Sequence, residues 1–161
     1  MKTTNKKNQN LIFLLLGLLV VLGGVVVFAL TSGSSDKVVV NEVGKSAEVG
    51  KVTYTLNKVE LTDERNKKDD SKPKDVIKVS YTVKNDTDKP VDVDNTVVAK
   101  DSDKKDLLTY ANKNTLGTVK AGETKEVVTH FGLNKQGVVV FKFAPNTESK
   151  DFALYSTTVE K

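Results

Sequence analysis

Residues 76–84 (VIKVSYTVK) place Ile77, Val79, Tyr81 and Val83 in alternation with Lys78, Ser80, Thr82 and Lys84. An apolar side chain at every second position means a half-buried strand with one face on a core. In 52–61 (VTYTLNKVEL), Val52, Tyr54 and Leu56 share a face, but Val59 and Leu61 continue in the opposite phase, so the slip at Asn57 and Lys58 predicts a bulge or a break. Further strands are expected over 38–49, 91–100, 125–133, 137–144 and 152–159. Turn signals separate them at 85–90 (NDTDKP), 120–123 (KAGE), 134–137 (NKQG) and 145–150 (PNTESK). Residues 137–143 (GVVVFKF) are apolar on both faces apart from Lys142, and such a run left at an edge invites aggregation. It is therefore expected to be a central strand, covered on both sides. No stretch downstream of residue 30 sustains a 3.6-residue period, so helices should be minor. About seven short strands with turns at this spacing predict an all-β, two-sheet antiparallel sandwich over residues 38–161.

Ahead of it, residues 11–30 (LIFLLLGLLVVLGGVVVFAL) form an uninterrupted run without a charge or a polar side chain. As a helix such a run spans roughly 30 Å, the hydrocarbon thickness of a bilayer. A buried core helix would keep a polar stripe, and none is present. A cleaved signal peptide is the alternative, since basic residues precede the run and Ala29, Ser32, Gly33 and Ser34 follow it, although signal cores are about 7 to 15 residues long. Lys2, Lys6 and Lys7 precede the run, whereas Asp36 and Lys37 beyond it cancel. The positive-inside rule then predicts a cytoplasmic basic tail (1–10), a transmembrane helix (11–30), a flexible Gly/Ser-rich tether (31–37) and an extracellular domain. Gly17, Gly23 and Gly24 do not make the four-residue spacing of a helix-pairing motif.

Charge and composition narrow the chemistry. Beyond residue 10, the remaining 22 basic residues face 21 acidic ones, so composition offers no basic face for a phosphate backbone and no nucleic-acid partner is expected. With no cysteine there is no disulfide, no thiol nucleophile, no Cys-containing zinc site and no lipid-bearing cysteine. The one histidine, His130, excludes any site that needs two.

Several of these segments carry a family likeness. Residues 49–56 (VGKVTYTL) leading to Val59-Glu60, then 79–83 running into 84–91 (KNDTDKPV), then Ala121-Gly122-Glu123 before a valine-rich strand resemble the telokin-like, immunoglobulin-fold extracellular domains of bacterial exported proteins, also called immunoprotective extracellular domains. The likeness covers roughly residues 44–158 and implies an immunoglobulin-like sandwich outside the cytoplasm. Members are often lipoproteins held by a cysteine; this chain departs from that pattern, so residues 11–30 would have to provide the anchor. The family supplies no catalytic or ligand-binding residue.

The chain also offers little for catalysis. Nucleophilic catalysis normally places a base beside the nucleophile; His130 is the only imidazole, on the same strand face as Val128 and Gly132, and no GxSxG or phosphate-cradling glycine motif occurs. It is read as an ordinary strand histidine, and no enzymatic activity is expected. Carboxylates recur in pairs at Asp86/Asp88, Asp92/Asp94 and Asp101/Asp103, with Asp106 nearby. On an extended strand Asp92 and Asp94 would point the same way and offer oxygen ligands to a hard cation. Against this, lysines interleave, and residues 101–106 carry Lys105 and Asp106 where an EF-hand loop wants Asp or Asn and then Gly, so neither metal nor cofactor is expected. A cleft between paired carboxylates for sugar hydrolysis has little room in so small a sandwich. Asn85-Asp86-Thr87 matches the glycosylation acceptor pattern. Residues 62–75 (TDERNKKDDSKPKD) hold five basic and five acidic side chains among fourteen, with nothing aliphatic or aromatic to bury, and are expected to be a mobile, solvated insertion. The functional expectation is a non-catalytic display or interaction module of a bacterial cell envelope, with a protein partner at the cell surface. The alternative is an accessory structural subunit of an envelope assembly that makes its contacts through the helix, or a domain secreted after signal cleavage.

Overall fold

The structure, a computed structural model, describes residues 21–22, 25–28, 38–146 and 149–161. The chain divides into two compact units, Met1–Val40 and Asn41–Lys161. In the first, strand β1 (Val21–Leu22) runs antiparallel to β2 (Val25–Phe28), and β2 pairs with residues 38–40, with Val26 opposite Val40 and Phe28 opposite Val38. The basic tail, the tether and most of the expected helix over residues 11–30 lie outside the described residues. The two described pieces of that run are rich in valine, and a continuous apolar, β-branched stretch does not choose between strand and helix by pattern alone. Among the described residues no helix is long and apolar enough to cross a membrane.

The second unit is a two-sheet β-sandwich. One sheet contains β4 (Ser46–Val49), β5 (Val52–Thr62), β6 (Asp75–Asn85) and β10 (Thr124–Leu133), in the order β10-β6-β5-β4 and antiparallel throughout. Facing it, β11 (Gly137–Phe143) lies between β12 (Ala153–Val159) and β8 (Val97–Lys100). Strand β3 (Val38–Asn41) ends at Asn41, which donates its side-chain amide to the Leu154 carbonyl at 3.0 Å. A short ribbon, β7 (Val91–Asp92) with β9 (Thr118–Val119), completes the set.

The alternation in β6 does what the pattern requires: Ile77, Val79, Tyr81 and Val83 are all fully buried. Together with Val52, Tyr54 and Leu56 of β5 and Val127, Phe131 and Leu133 of β10, they meet Val139, Phe141 and Phe143 of β11. Phe143 is the centre of an aromatic group, with ring centroids 5.0 Å from Tyr81, 5.3 Å from Tyr155 and 5.6 Å from Tyr54. The first two contacts are edge-on, the arrangement that ring quadrupoles favour. Truncating Phe143 to alanine would cost about 3–5 kcal/mol through lost burial and the cavity left behind.

The bulge expected at Asn57 is present, since Leu56 faces Tyr81 while Lys58 faces Ser80. Asn57 is the extra residue and donates to Thr82 Oγ1 at 2.9 Å. The skip turns Val59 and Leu61 back onto the core, which explains their reversed phase. Between β4 and β5, Gly50-Lys51 forms the two-residue turn, with Val49 opposite Val52; Gly50 at φ +63° adopts the left-handed conformation such turns require. The central position of residues 137–143 is also as expected.

Two expected strands are subdivided. Residues 38–49 break at a turn into β3 and β4. Residues 91–100 are interrupted by a one-turn 3-10 helix, Val93–Asn95, because Asp92 Oδ1 takes the Asp94 amide at 2.9 Å and draws the backbone out of the ladder. Strand β9 carries too few residues to show a period in the sequence. Residues 38–146 and 149–161 thus contain ten strands, β3 to β12, more than the seven expected.

Candidate functional site

Strands β8 and β10 are the ends of their respective sheets, and one irregular segment, residues 106–115, covers both. Asp106 bridges to Lys100, and the Leu107 amide donates to the Ala99 carbonyl at 2.9 Å, which covers β8. The next residue turns to the other sheet: the Leu108 carbonyl accepts from Gly132 at 3.0 Å, Tyr110 donates to the His130 carbonyl at 2.8 Å, and Thr115 donates to the Val128 carbonyl at 2.8 Å. Thr115 Oγ1 also accepts the Val128 amide at 3.0 Å. This strap satisfies backbone groups that a bare sheet edge would leave open to other chains.

His130 lies beneath it. Strand parity puts Val127, Phe131 and Leu133 on the core, so His130 belongs to the opposite face with Val128 and Gly132, as the sequence implies, yet only 1 % of its surface is exposed. Asn114 explains its state. Asn114 Oδ1 accepts the His130 main-chain amide at 2.9 Å and lies 2.7 Å from Nδ1, while Asn114 Nδ2 donates to the Tyr110 carbonyl at 3.1 Å. The amide orientation is fixed by two main-chain partners, so Nδ1 carries the ring proton of the neutral imidazole. Nε2 is buried without a hydrogen-bond partner among the described residues. Burial holds the imidazole below its ordinary value of 6.5; Glu64 opposes this, and Lys78 and Lys113 add to it.

The charged insertion is largely exposed, as expected, but it is tied into the same assembly rather than free of it. The Asn66 amide donates to Tyr110 Oη at 2.6 Å, Asn66 Nδ2 donates to the Ala111 carbonyl, and Asp69 Oδ2 accepts the Ala111 amide at 2.8 Å. Glu64 lies 3.5 Å from Lys113 Nζ. Pro73 presses onto Gly132 so closely that a β-carbon there would stand 2.8 Å from Pro73 Cβ. The loop is thus held by polar contacts and one backbone approach rather than by apolar burial, which hydrophobic patterning cannot register. Asn114 and Tyr110, which complete the site, carry no sequence signal of their own. The only signal pointing to them was a histidine on the polar face of a strand.

The carboxylate pairs serve turns and ion pairs. Asp92 caps the 3-10 helix, so Asp92 and Asp94 do not stand together on a strand face, and that geometry is corrected. Asp86 pairs with Lys84 at 2.7 Å, Asp103 with Lys135 at 3.0 Å and Asp106 with Lys100 at 2.6 Å. Asp101 Oδ1 accepts the amides of Asp103 and Lys105, both at 2.9 Å, closing a tight turn. Among the described residues no three carboxylate or imidazole groups gather to hold a metal. Asn85 is buried and donates its amide to the carbonyls of Lys89 at 2.7 Å and Val119 at 3.0 Å, so the glycosylation match is buried within the domain.

This architecture is an antiparallel β-sandwich with no α-helix among the described residues. No family model matches the chain, and no curated protein matches it. Among solved structures it is similar to the candidate lipoprotein ycdA of Bacillus subtilis, at 20% identity and a TM-score of 0.58 over 73% of this chain. The chain spans only 39% of that protein. It is also similar to MPT63, a secreted protein of Mycobacterium tuberculosis (11% identity, TM-score 0.55, 74% of this chain and 98% of that one), and to yjhA of Bacillus subtilis (16%, 0.52, 74% and 98%). At these identities the likeness is one of fold.

Proposed function

We propose that the chain is a non-catalytic interaction module of a bacterial cell envelope, an immunoglobulin-like domain of the telokin-like type held outside the cytoplasm by a membrane-spanning segment at residues 11–30. The observation that carries the reading is the uncharged, fully apolar run placed between a lysine-bearing tail and a nearly neutral β domain. In a bilayer that run would satisfy its backbone groups as a helix, in place of the strand pairing that Val21–Leu22 and Val25–Phe28 make here. The sandwich neighbours, one a candidate lipoprotein and one a secreted protein, are compatible with an exported domain. His130, the one imidazole, is engaged by Asn114 and covered by the strap, which favours binding over turnover. The partner is a protein met at the cell surface, engaged through loops or a sheet edge.

Protease added outside intact spheroplasts tests the arrangement. The β domain is expected to be digested while a cytoplasmic marker survives. Protection of the domain until the cells are lysed would overturn it.

A further inference from the structure

We infer that residues 108–115 form an acid-released latch, whose protonation trigger is His130 and whose opening uncovers the outer edge of strand β10. The inference is independent of where the protein resides. It rests on how the strap is held. Of its apolar side chains, Leu108 is 70 % exposed and only Tyr110 is buried, so the strap lies on β10 through hydrogen bonds rather than through a core of its own. Three of those contacts meet at His130, whose carbonyl takes the Tyr110 amide and whose amide and Nδ1 both face Asn114 Oδ1; the others go to Gly132 and Val128, and the 62–75 loop holds Tyr110 and Ala111 from outside.

A second proton on the ring must go to Nε2, which is buried with no acceptor among the described residues. The charged groups facing the ring offer little compensation. Lys78 is its direct cross-strand neighbour on β6 and Lys113 belongs to the strap itself; both are cationic. The facing acid, Glu64 of the 62–75 loop, is already shared with Lys113 and with Asn112 Nδ2, each at 3.5 Å. On β5, Glu60 stands beyond Lys78 and is 2.5 Å from Lys58. Val128 and Gly132, which flank His130 on its own strand face, carry no charge.

An imidazolium is therefore tolerated only after the strap lifts and water reaches Nε2. The sign follows from linkage. The closed state holds a depressed histidine and the open state an ordinary one near 6.5, so closure is unaffected above that value and weakens as pH falls below it. The open-to-closed ratio rises by up to about tenfold per pH unit until the closed-state ring itself titrates.

Hydrogen exchange on the full chain in detergent, corrected for intrinsic rates, reads this directly. Between about pH 7.5 and about pH 5, the amides of Tyr110, Thr115, Val128, His130 and Gly132 are expected to lose protection, by up to about tenfold per pH unit, while those of Val79 and Tyr81 keep theirs. Asn114→Asp sets a carboxylate against the ring and should keep the latch protected in acid. His130→Gln should remove the pH dependence. Uniform loss across strap and core amides, unchanged protection of the strap at about pH 5, or the wild-type acid response persisting in Asn114→Asp would each overturn the inference. Should His130→Gln fail to fold, the ring titration of the wild type followed by NMR decides instead: a midpoint at the ordinary value with the strap still protected would also sink it.

Discussion

Leu107 and Leu108 are neighbours in the chain but bond to different sheets: the Leu107 amide donates to Ala99 of β8, and the Leu108 carbonyl accepts from Gly132 of β10. The change of side within one residue lets a segment without regular structure close an open flank of the sandwich. It also separates two roles, since Leu107 packs on the core while Leu108 stays exposed. The anchored part belongs to β8, and the part over β10 is held by polar bonds alone apart from Tyr110.

Asn85 is the polar counterpart of this closure. Its side chain donates to Lys89 and Val119 and accepts from the amide and hydroxyl of Thr87, while its main chain bonds Glu123 and Gly122. Asn85→Ala leaves the buried Val119 carbonyl and the part-buried Thr87 and Lys89 groups without partners and is expected to cost about 1–2 kcal/mol, read from urea denaturation midpoints. A loss under about 0.5 kcal/mol would mean that water replaces these bonds freely.

Tyr54 and Tyr155 are both buried tyrosines, but only one hydroxyl is satisfied. Tyr155 Oη donates towards the carbonyls of Lys45 at 2.9 Å and Tyr54 at 2.8 Å, tying β12 to the opposite sheet, and burial pushes its phenol up to about 12. Tyr54 Oη has no partner among the described residues. Tyr54→Phe is therefore expected to preserve stability or raise it by up to about 1 kcal/mol, and Tyr155→Phe to lower it by about 1–2 kcal/mol. Thermal melts of the two variants moving together would contradict this.

Gly132 has room for no side chain. Alanine there drives a β-carbon into the rigid ring of Pro73, and the expected cost is about 1–3 kcal/mol, concentrated in the 62–75 loop. Proteolysis within that loop should accelerate in Gly132→Ala more than global unfolding does. Pairing it with Pro73→Gly should recover part of the loss, because both obstructing atoms, Pro73 Cβ and Cγ, are gone.

Asp75 gives the domain an acid limit distinct from that of His130. The hydrogen bond from Gln136 Nε2 at 3.0 Å holds its carboxyl below the ordinary 3.8 against the effect of burial, with Lys161 assisting at 3.6 Å. A depressed carboxyl contributes stability that is full above 3.8 and is lost as pH falls through the folded-state value. Asp75→Asn should flatten stability between about pH 4.5 and about pH 2, and an unchanged acid slope would show that the carboxyl is not the responsible group.

The sandwich was legible in residue order. Period-two alternation in 76–84 fixed which face of β6 is buried, the slip at Asn57 marked the bulge, and the two-faced apolarity of 137–143 required a strand with neighbours on both sides. These are local consequences of the extended backbone, in which side chains alternate across the sheet, so they are legible from residue order. The polar assembly around His130 was decided only by tertiary structure. The contacts of Asn114, Tyr110, Asn66 and Asp69 join segments far apart in the chain through directional hydrogen bonds, and the approach of Pro73 to Gly132 fits a loop to strand β10 by shape. Neither leaves a periodic trace. A histidine looks alike in sequence whether water or a strap covers it, and only the strap removes its access to solvent.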